Sequence, residues 1–330
     1  MNVSDPIGHD YQAEEEEEDP FANDPRYCRL SRNSWVAALI FFPALLGFVV
    51  NCWNCHKLVR TRRFRGSFAI LWISRCVANS ILLLIFMLYT SPSILCNRQI
   101  PTKSIGYFIA NSTGTYYLTI LFVQIFLAVH RFSASLHVGL YKIISGTKCT
   151  LAQLFVAWFI GILSTAQWVV EECEFWFDVP TWSWENDCAD WIIEISTPIP
   201  VKITICTVIL LNIGTFCRLY VLQKRKRNGT IDMRLRNNFR LLWQGTIHDS
   251  FFFLDIINQQ YTSELYDTKW WNLLCFSISW QWSHILDGIA ILVLNEDLRR
   301  PIVQFFKRNK VSHQRAFTIT RVEDLRMRHT

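Results

Sequence analysis

Apolar residues in this chain come in runs too long to form one side of a soluble helix. The clearest lies at 104–132 (SIGYFIANSTGTYYLTILFVQIFLAVHRF), polar and aromatic at its start, apolar over 118–129 apart from Thr119 and Gln124, and closed by His130, Arg131 and Phe132. At a rise of about 1.5 Å per residue, the 26 residues 104–129 make a helix of roughly 39 Å, enough to cross about 30 Å of hydrocarbon with some tilt. A turn of about 100° per residue puts Thr113, Tyr117, Gln124 and Arg131 within about 40° of one face. Such a polar stripe has to face neighbouring helices and not lipid.

Comparable runs predict spans at about 35–53, 67–89, 151–170, 199–221, 241–257 and 271–294, so that 104–129 is the third of seven. Arg75 lies inside the second, His248, Asp249 and Asp255 interrupt the sixth, and His284 and Asp287 lie in the seventh. Ahead of them, residues 1–33 carry an acidic run at 14–18 and few apolar residues, which predicts a flexible tail with no cleavable signal. Behind them, residues 296–330 are basic and open with Leu298, Ile302, Phe305 and Phe306 on one side, the pattern of a short amphipathic helix on the membrane surface. The expected fold class is an all-α membrane protein, a seven-transmembrane helix bundle over residues 34–295.

Composition narrows the function. With 51% hydrophobic and 15% aromatic residues against 18% charged, the chain lacks the polar surface of a soluble enzyme of its length. The 33 Lys and Arg are also unevenly placed: 24 fall in the segments after the first, third and fifth spans and in the carboxyl tail, and six on the opposite side. By the positive-inside rule the amino terminus is outside and the carboxyl tail is in the cytosol, in contact with membrane lipid. The net charge of +6 therefore reflects topology, and no nucleic acid is implied.

Of eleven cysteines, Cys28, Cys96, Cys173 and Cys188 fall on the oxidising side. Cys96 with Cys188 is the expected pair, tying the top of the third span to the long acidic outer loop, and Cys173 with Cys188 is its competitor. No catalytic motif, cofactor fingerprint or metal box appears, so neither an enzyme nor a cofactor protein is expected.

The ionisable groups inside spans carry the remaining information, because each is costly in hydrocarbon. Helix counting puts Arg75 and Asp249 at similar depth, with Asn51 and Asp287 about a turn nearer the cytosol. These four form a candidate polar switch layer in which Arg75 pairs with Asp249 or Asp287. Farther out, Asn111, Tyr116, Tyr117, Lys202, Asp255, Trp280 and His284 are candidates to line a cavity for an external ligand. The many carboxylates of the outer loop, with no Lys or Arg among them, hint at cationic cues. At the inner surface, Arg131 and the run Lys224, Arg225, Lys226 and Arg227 are candidates to meet a partner protein.

Seven spans, an outside amino terminus and an Arg at the foot of the third helix resemble the G-protein-coupled receptors. More narrowly, the chain is similar to the nematode serpentine receptors of class X. The resemblance rests on Gly47 with Asn51 (GFVVN), the HRFSA run at 130–134, the outer loop CEFWFDVPTWSWENDC at 173–188, QGTIHDSFFFLD with Gln244, Asp249 and Asp255, and WSHILDGIAILVLN at 282–295. It implies a chemoreceptor that binds an external small-molecule or peptide cue and activates a heterotrimeric G protein at the plasma membrane, in sensory cilia. Two departures stand out: His130 occupies the place of the acid that precedes the Arg in the wider superfamily, and the seventh span lacks an NPxxY sequence.

Other classes fit less well. An odorant-gated channel of the insect type would have its amino terminus inside, a transporter would show repeated halves, and a retinal protein would need a Lys in the seventh span.

Overall fold

The computed structural model describes residues 33–61, 66–100, 103–170, 173–225, 233–301 and 304. The acidic tail at 1–32, Cys28, Lys226, Arg227 and the expected surface-helix residues Ile302, Phe305 and Phe306 lie outside these segments.

Seven spans cross in the order expected. The first is α1 (Ser34–Arg60), and the second runs from α2 (Ser67–Ile85) through a π-helical turn (Phe86–Thr90) into α3 (Ser91–Leu95). The third is α4 (Lys103–Leu136), followed by the short α5 (Val138–Ile144), and the fourth is α6 (Thr147–Val170). A β-hairpin then joins β1 (Glu174–Asp178) to β2 (Ser183–Asp187), and α7 (Asp190–Ser196) leads into the fifth span, α8 (Pro198–Arg225). The sixth is α9 (Met233–Ile257), and the seventh runs from α10 (Lys269–Asn272) through a π-helical stretch (Leu273–Ile278) into α11 (Ser279–Leu294). Residues 296–301 continue as helix, with Leu298 fully buried against the inner core.

Five of these helices are long and apolar enough to cross a membrane by hydropathy alone. The sixth and seventh are spans by position. Their polar residues and π-helical interruption dilute the signal while the backbone stays helical, because every N–H and C=O in hydrocarbon must be satisfied within the chain.

The second and third spans bury 67% of their most apolar stretch, whereas the fourth and fifth bury 17%. The third is therefore central, packed against the second, fourth, fifth and sixth. The outer faces of the fourth and fifth spans present Phe155, Phe159, Ile162, Leu210, Ile213 and Phe216, a face that water would penalise and lipid does not. The stripe read from the third span is fully turned inward: Thr113, Tyr117, Gln124 and Arg131 are all buried.

The hairpin departs from the all-helical expectation. Its register pairs Glu174 with Asp187, so Cys173 and Cys188 are the next facing pair, 4.8 Å apart at Cα, and they are disulfide-bonded. That geometry corrects the expected Cys96–Cys188 bridge: Cys188 is bonded to the cysteine that faces it across the hairpin and has no sulfur left for Cys96. Cys96 is disulfide-bonded as well, but not to Cys188. Sequence periodicity could not separate a five-residue aromatic strand from loop. The hairpin's tip is held by Trp182, whose φ of 57° is left-handed, and whose ring meets Trp270 at 4.8 Å, itself stacked on Trp35 at the top of the first span.

The third and fourth spans approach closely at Gly161. A Cβ there would lie 2.5 Å from the Thr115 carbonyl oxygen and 2.8 Å from Thr119 Oγ1, backbone and helix that cannot yield. Gly161→Ala is therefore expected to destabilise the receptor by about 1–3 kcal/mol. Gly114→Ala, whose nearest neighbour would be 3.8 Å away, should change stability little. Thermal unfolding of the two solubilised variants checks this, and equal melting temperatures would contradict the close approach.

Candidate functional site

Polar side chains concentrate in two clusters deep in the bundle, below a cavity near its outer end. The first cluster centres on Asp287 of the seventh span. Its Oδ2 accepts from Arg75 Nε at 2.7 Å and from Asn79 Nδ2 at 2.7 Å, and its Oδ1 accepts from His248 Nδ1. Asn79 also donates to Asn51 Oδ1 at 3.4 Å and accepts from His284 Nδ1 at 2.9 Å. Asn51 in turn donates to the Gly47 carbonyl at 2.9 Å and the His284 carbonyl at 3.4 Å. Nearby, Asn54 donates to the Gly288 carbonyl at 2.8 Å. The Trp72 ring packs on His248 at 4.8 Å and beneath the Arg75 guanidinium at 5.8 Å. Three spans are thereby bonded through one carboxylate, and Asn79 with the His284 carbonyl brings in the first.

The second cluster centres on Asp249 of the sixth span. Gln124 donates to its Oδ1 at 2.7 Å, while Asn212 at 2.5 Å and Arg131 at 3.3 Å donate to its Oδ2. The Arg131 guanidinium lies flat across Gly245, where an ideal Cβ would fall 1.1 Å from Nη1. Only a residue without a side chain lets Arg131 reach Asp249 there. Beside it, His130 meets Gln153 Oε1 at 2.9 Å.

The expected four-residue layer is thus two clusters. Asn51, Arg75 and Asp287 are joined, and of the two partners open to Arg75 the structure has Asp287. Asp249 belongs elsewhere because it follows His248 directly: one residue turns a helix by about 100°, so His248 faces the seventh span and Asp249 the third and fifth. Asn79, His248, Gln124 and Asn212 were not singled out from the sequence. Asn79 had a signal, since it lies four residues after Arg75 and so on the same face. Arg131 was expected at the inner surface, but α4 runs a further turn past it and the side chain is buried. Lys224 is exposed and Arg225 ends α8.

A cavity of about 300 Å³ lies under the hairpin, among the third to seventh spans. Its walls include Asn111, Tyr117, Trp168, Phe175, Trp184 and Trp280. The hairpin's Trp184 packs on Trp280 at 5.4 Å and Phe175 at 5.3 Å, and Tyr117 meets Trp280 at 6.0 Å and Phe252 at 5.5 Å.

Three of the seven ligand candidates, Asn111, Tyr117 and Trp280, line this cavity. The other four do not. Tyr116 turns towards Trp158 of the fourth span, Lys202 is exposed on the fifth, and His284 is in the Asp287 cluster. Asp255 sits behind the wall, where Gln259 at 3.1 Å and Ser279 at 2.9 Å donate to its Oδ1. Among the described residues, no group of His, Cys, Asp and Glu could hold a metal ion.

Comparison with known proteins bears on the family and the fold. The family profile described as "Serpentine type 7TM GPCR chemoreceptor Srx" matches residues 41–295. Serpentine receptor class X 45 from Caenorhabditis elegans is 20% identical over 316 residues, covering 89% of this chain and 86% of its own. The crystal structure of squid rhodopsin superimposes with a TM-score of 0.69, covering 85% of this chain and 83% of its own at 11% identity, a likeness of fold.

The Asp287 cluster predicts an asymmetry between single and double variants. Asp287→Leu leaves Arg75 buried and unpaired, and should cost about 3–5 kcal/mol. Arg75→Met combined with Asp287→Leu should recover most of that loss, because a buried pair replaced by apolar side chains is close to neutral. Surface expression and melting temperature of the three proteins provide the check. Additive losses would show that the two side chains do not act as a pair.

Proposed function

This chain belongs to the serpentine type seven-transmembrane chemoreceptor family Srx, and on that premise we propose that its outer cavity receives the cue and that the Arg131–Asp249 pair restrains the inner half of the bundle until it does. The family is one of G-protein-coupled receptors, so response to an external ligand and coupling to a G protein are its general properties. The receptor is a multi-pass membrane protein, and we assign it to the plasma membrane of sensory cilia.

One observation carries the reading. A buried Arg on the third span is held by a carboxylate on the sixth, across a glycine that leaves it room. While that pair stands, the inner ends of the two spans cannot separate without leaving two charges uncompensated in hydrocarbon. A cue that binds the alternative packing more tightly shifts the balance towards it. Parting the spans then releases Arg131 towards the cytosol, where it joins Lys224, Arg225, Lys226 and Arg227 in meeting a heterotrimeric G protein.

The restraint can be tested without knowing the cue. Gly245→Ala, which displaces the guanidinium sterically, and Asp249→Asn, which removes its counter-charge, are both expected to raise basal G-protein activation about 5-fold or more at matched surface level. Adding Arg131→Ala to either should return the signal to background. Unchanged basal activity in both single variants at normal surface level would remove the restraint from the reading.

A further inference from the structure

The cavity wall has a chemical character that the outer loop does not share. Among the described residues, none that lines it is Asp, Glu, Lys, Arg or His. Of the loop's described acidic residues none lines the cavity: Asp187, Asp190 and Glu194 are exposed, Asp178 accepts from Thr181 at 2.7 Å, and Glu185 accepts from Ser183 at 2.5 Å. What lines the cavity instead is amide, hydroxyl and indole.

Three lining residues each bury a polar atom with no hydrogen-bond partner: Asn111 Oδ1, Trp184 Nε1 and Trp280 Nε1. Each residue is more than nine-tenths buried, with exposures of 9%, 8% and 8%. Buried polar groups in native proteins are nearly always paired, and a cluster of exceptions around one cavity calls for a partner that enters it. An indole N–H only donates, so the partner of Trp184 and Trp280 must accept, while Asn111 Oδ1 needs a donor, which a carboxamide carries and a ketone does not.

Resting on the reading of this cavity as the cue site, we propose that its ligand is a compact, uncharged molecule with an apolar body and a carbonyl-type acceptor, of the ketone, ester, lactone or carboxamide class. A carboxylate also accepts, but no cation lines the wall to offset its loss of water. An ammonium finds no counter-charge among the described lining residues, since Asp255 lies behind them, its Oδ1 taken by Gln259 and Ser279 and its Oδ2 without a partner. The volume, at the small end for ligand pockets, suits one aromatic ring or short chain with its polar group. The hint of cationic cues in the loop's acidity does not extend to the walls of this cavity.

The experiment uses the full-length receptor in detergent and a matched aryl-alkyl series: 4-phenyl-2-butanone, 3-phenylpropanamide, butylbenzene, 4-phenyl-2-butylamine and 3-phenylpropanoate. Near saturation, the ketone and amide are expected to raise the melting temperature by about 2–4 °C or more, and the amine and carboxylate to leave it unchanged. Trp184→Phe and Trp280→Phe, which keep a ring and lose the N–H, should each weaken ketone binding about 3- to 10-fold while leaving butylbenzene binding as it was. Stabilisation by the amine or carboxylate equal to the ketone's, or by no member of the series, overturns the proposal. An amine-selective shift lost in Asp255→Asn would overturn it in favour of charge recognition by Asp255.

Gly114→Phe and Ser164→Phe, two independent ways of filling the cavity, separate the two levels of the argument. If charged probes bind and the filled variants abolish their effect, the cavity is a ligand site and the ligand class is wrong. If the stabilisation survives in a correctly folded filled variant, the cavity itself is not the site.

Discussion

A carboxylate in hydrocarbon has no solvent to accept hydrogen bonds from, so Asp287 draws them from its neighbours: Arg75 and Asn79 on the second span and His248 on the sixth. Through Asn79 and the His284 carbonyl the network reaches Asn51 on the first. Lipid tails are as apolar as leucine, so burial alone does not tell one helix face from another in a membrane. A carboxylate that must be satisfied does. It makes a single rotation and depth of the seventh span acceptable to three others, and the packing of Ile285, Ile291 and Leu298 follows from that register.

The third span meets the sixth along a seam with a regular spacing. Tyr117, Gln124 and Arg131 are seven residues apart, and opposite them lie Phe252, Asp249 and Gly245. The three residues of the third span cover about twice the axial length of those on the sixth, and the long side chains of Gln124 and Arg131 make up the difference. The seam begins in the cavity wall, where Tyr117 touches Trp280, and ends at Arg131. Whatever moves the outer end of the sixth span against the third therefore moves Asp249 against its donors, with no intermediate element required.

Most of this architecture was legible in the chain, for a physical reason. Hydrophobic runs and basic loops answer directly to the two phases that the membrane imposes, so the number of spans and their order could be read from them. The inward stripe on the third span was likewise a matter of counting by 100°. Partner choice was not, because depth along a helix says nothing about rotation between helices. Arg75 stood equally well opposite Asp249 or Asp287 until the rotation of the sixth span was known. Lys202 and His284 had suitable depth and the wrong rotation for the cavity. The hairpin was hidden because two five-residue strands rich in aromatic residues read equally well as loop, and with it went the facing positions of Cys173 and Cys188. Gly245 carries no signal in a single sequence; its role exists only because Arg131 crosses it.

The two ion pairs differ in how firmly the protein holds them. Arg75 meets Asp287 at 2.7 Å with both side chains at or below 5% exposure, and two further donors complete the carboxylate. Arg131 meets Asp249 at 3.3 Å, the carboxylate is 14% exposed, and Arg131 Nε, Gln124 Oε1 and Asn212 Oδ1 are buried without partners around it. A partly satisfied network in a low-dielectric interior carries a standing cost that any rearrangement supplying the missing partners recovers. Water admitted from the cytosol as the third and sixth spans part would supply them to the Asp249 cluster. The Asp287 cluster also buries atoms without partners, His248 Nε2, His284 Nε2 and Asn54 Oδ1, but its carboxylate is complete. The bundle therefore has one ion pair held tightly by further donors and one, containing Arg131, held less firmly: it restrains the inner ends while they are closed, and water supplies its missing partners once they have parted.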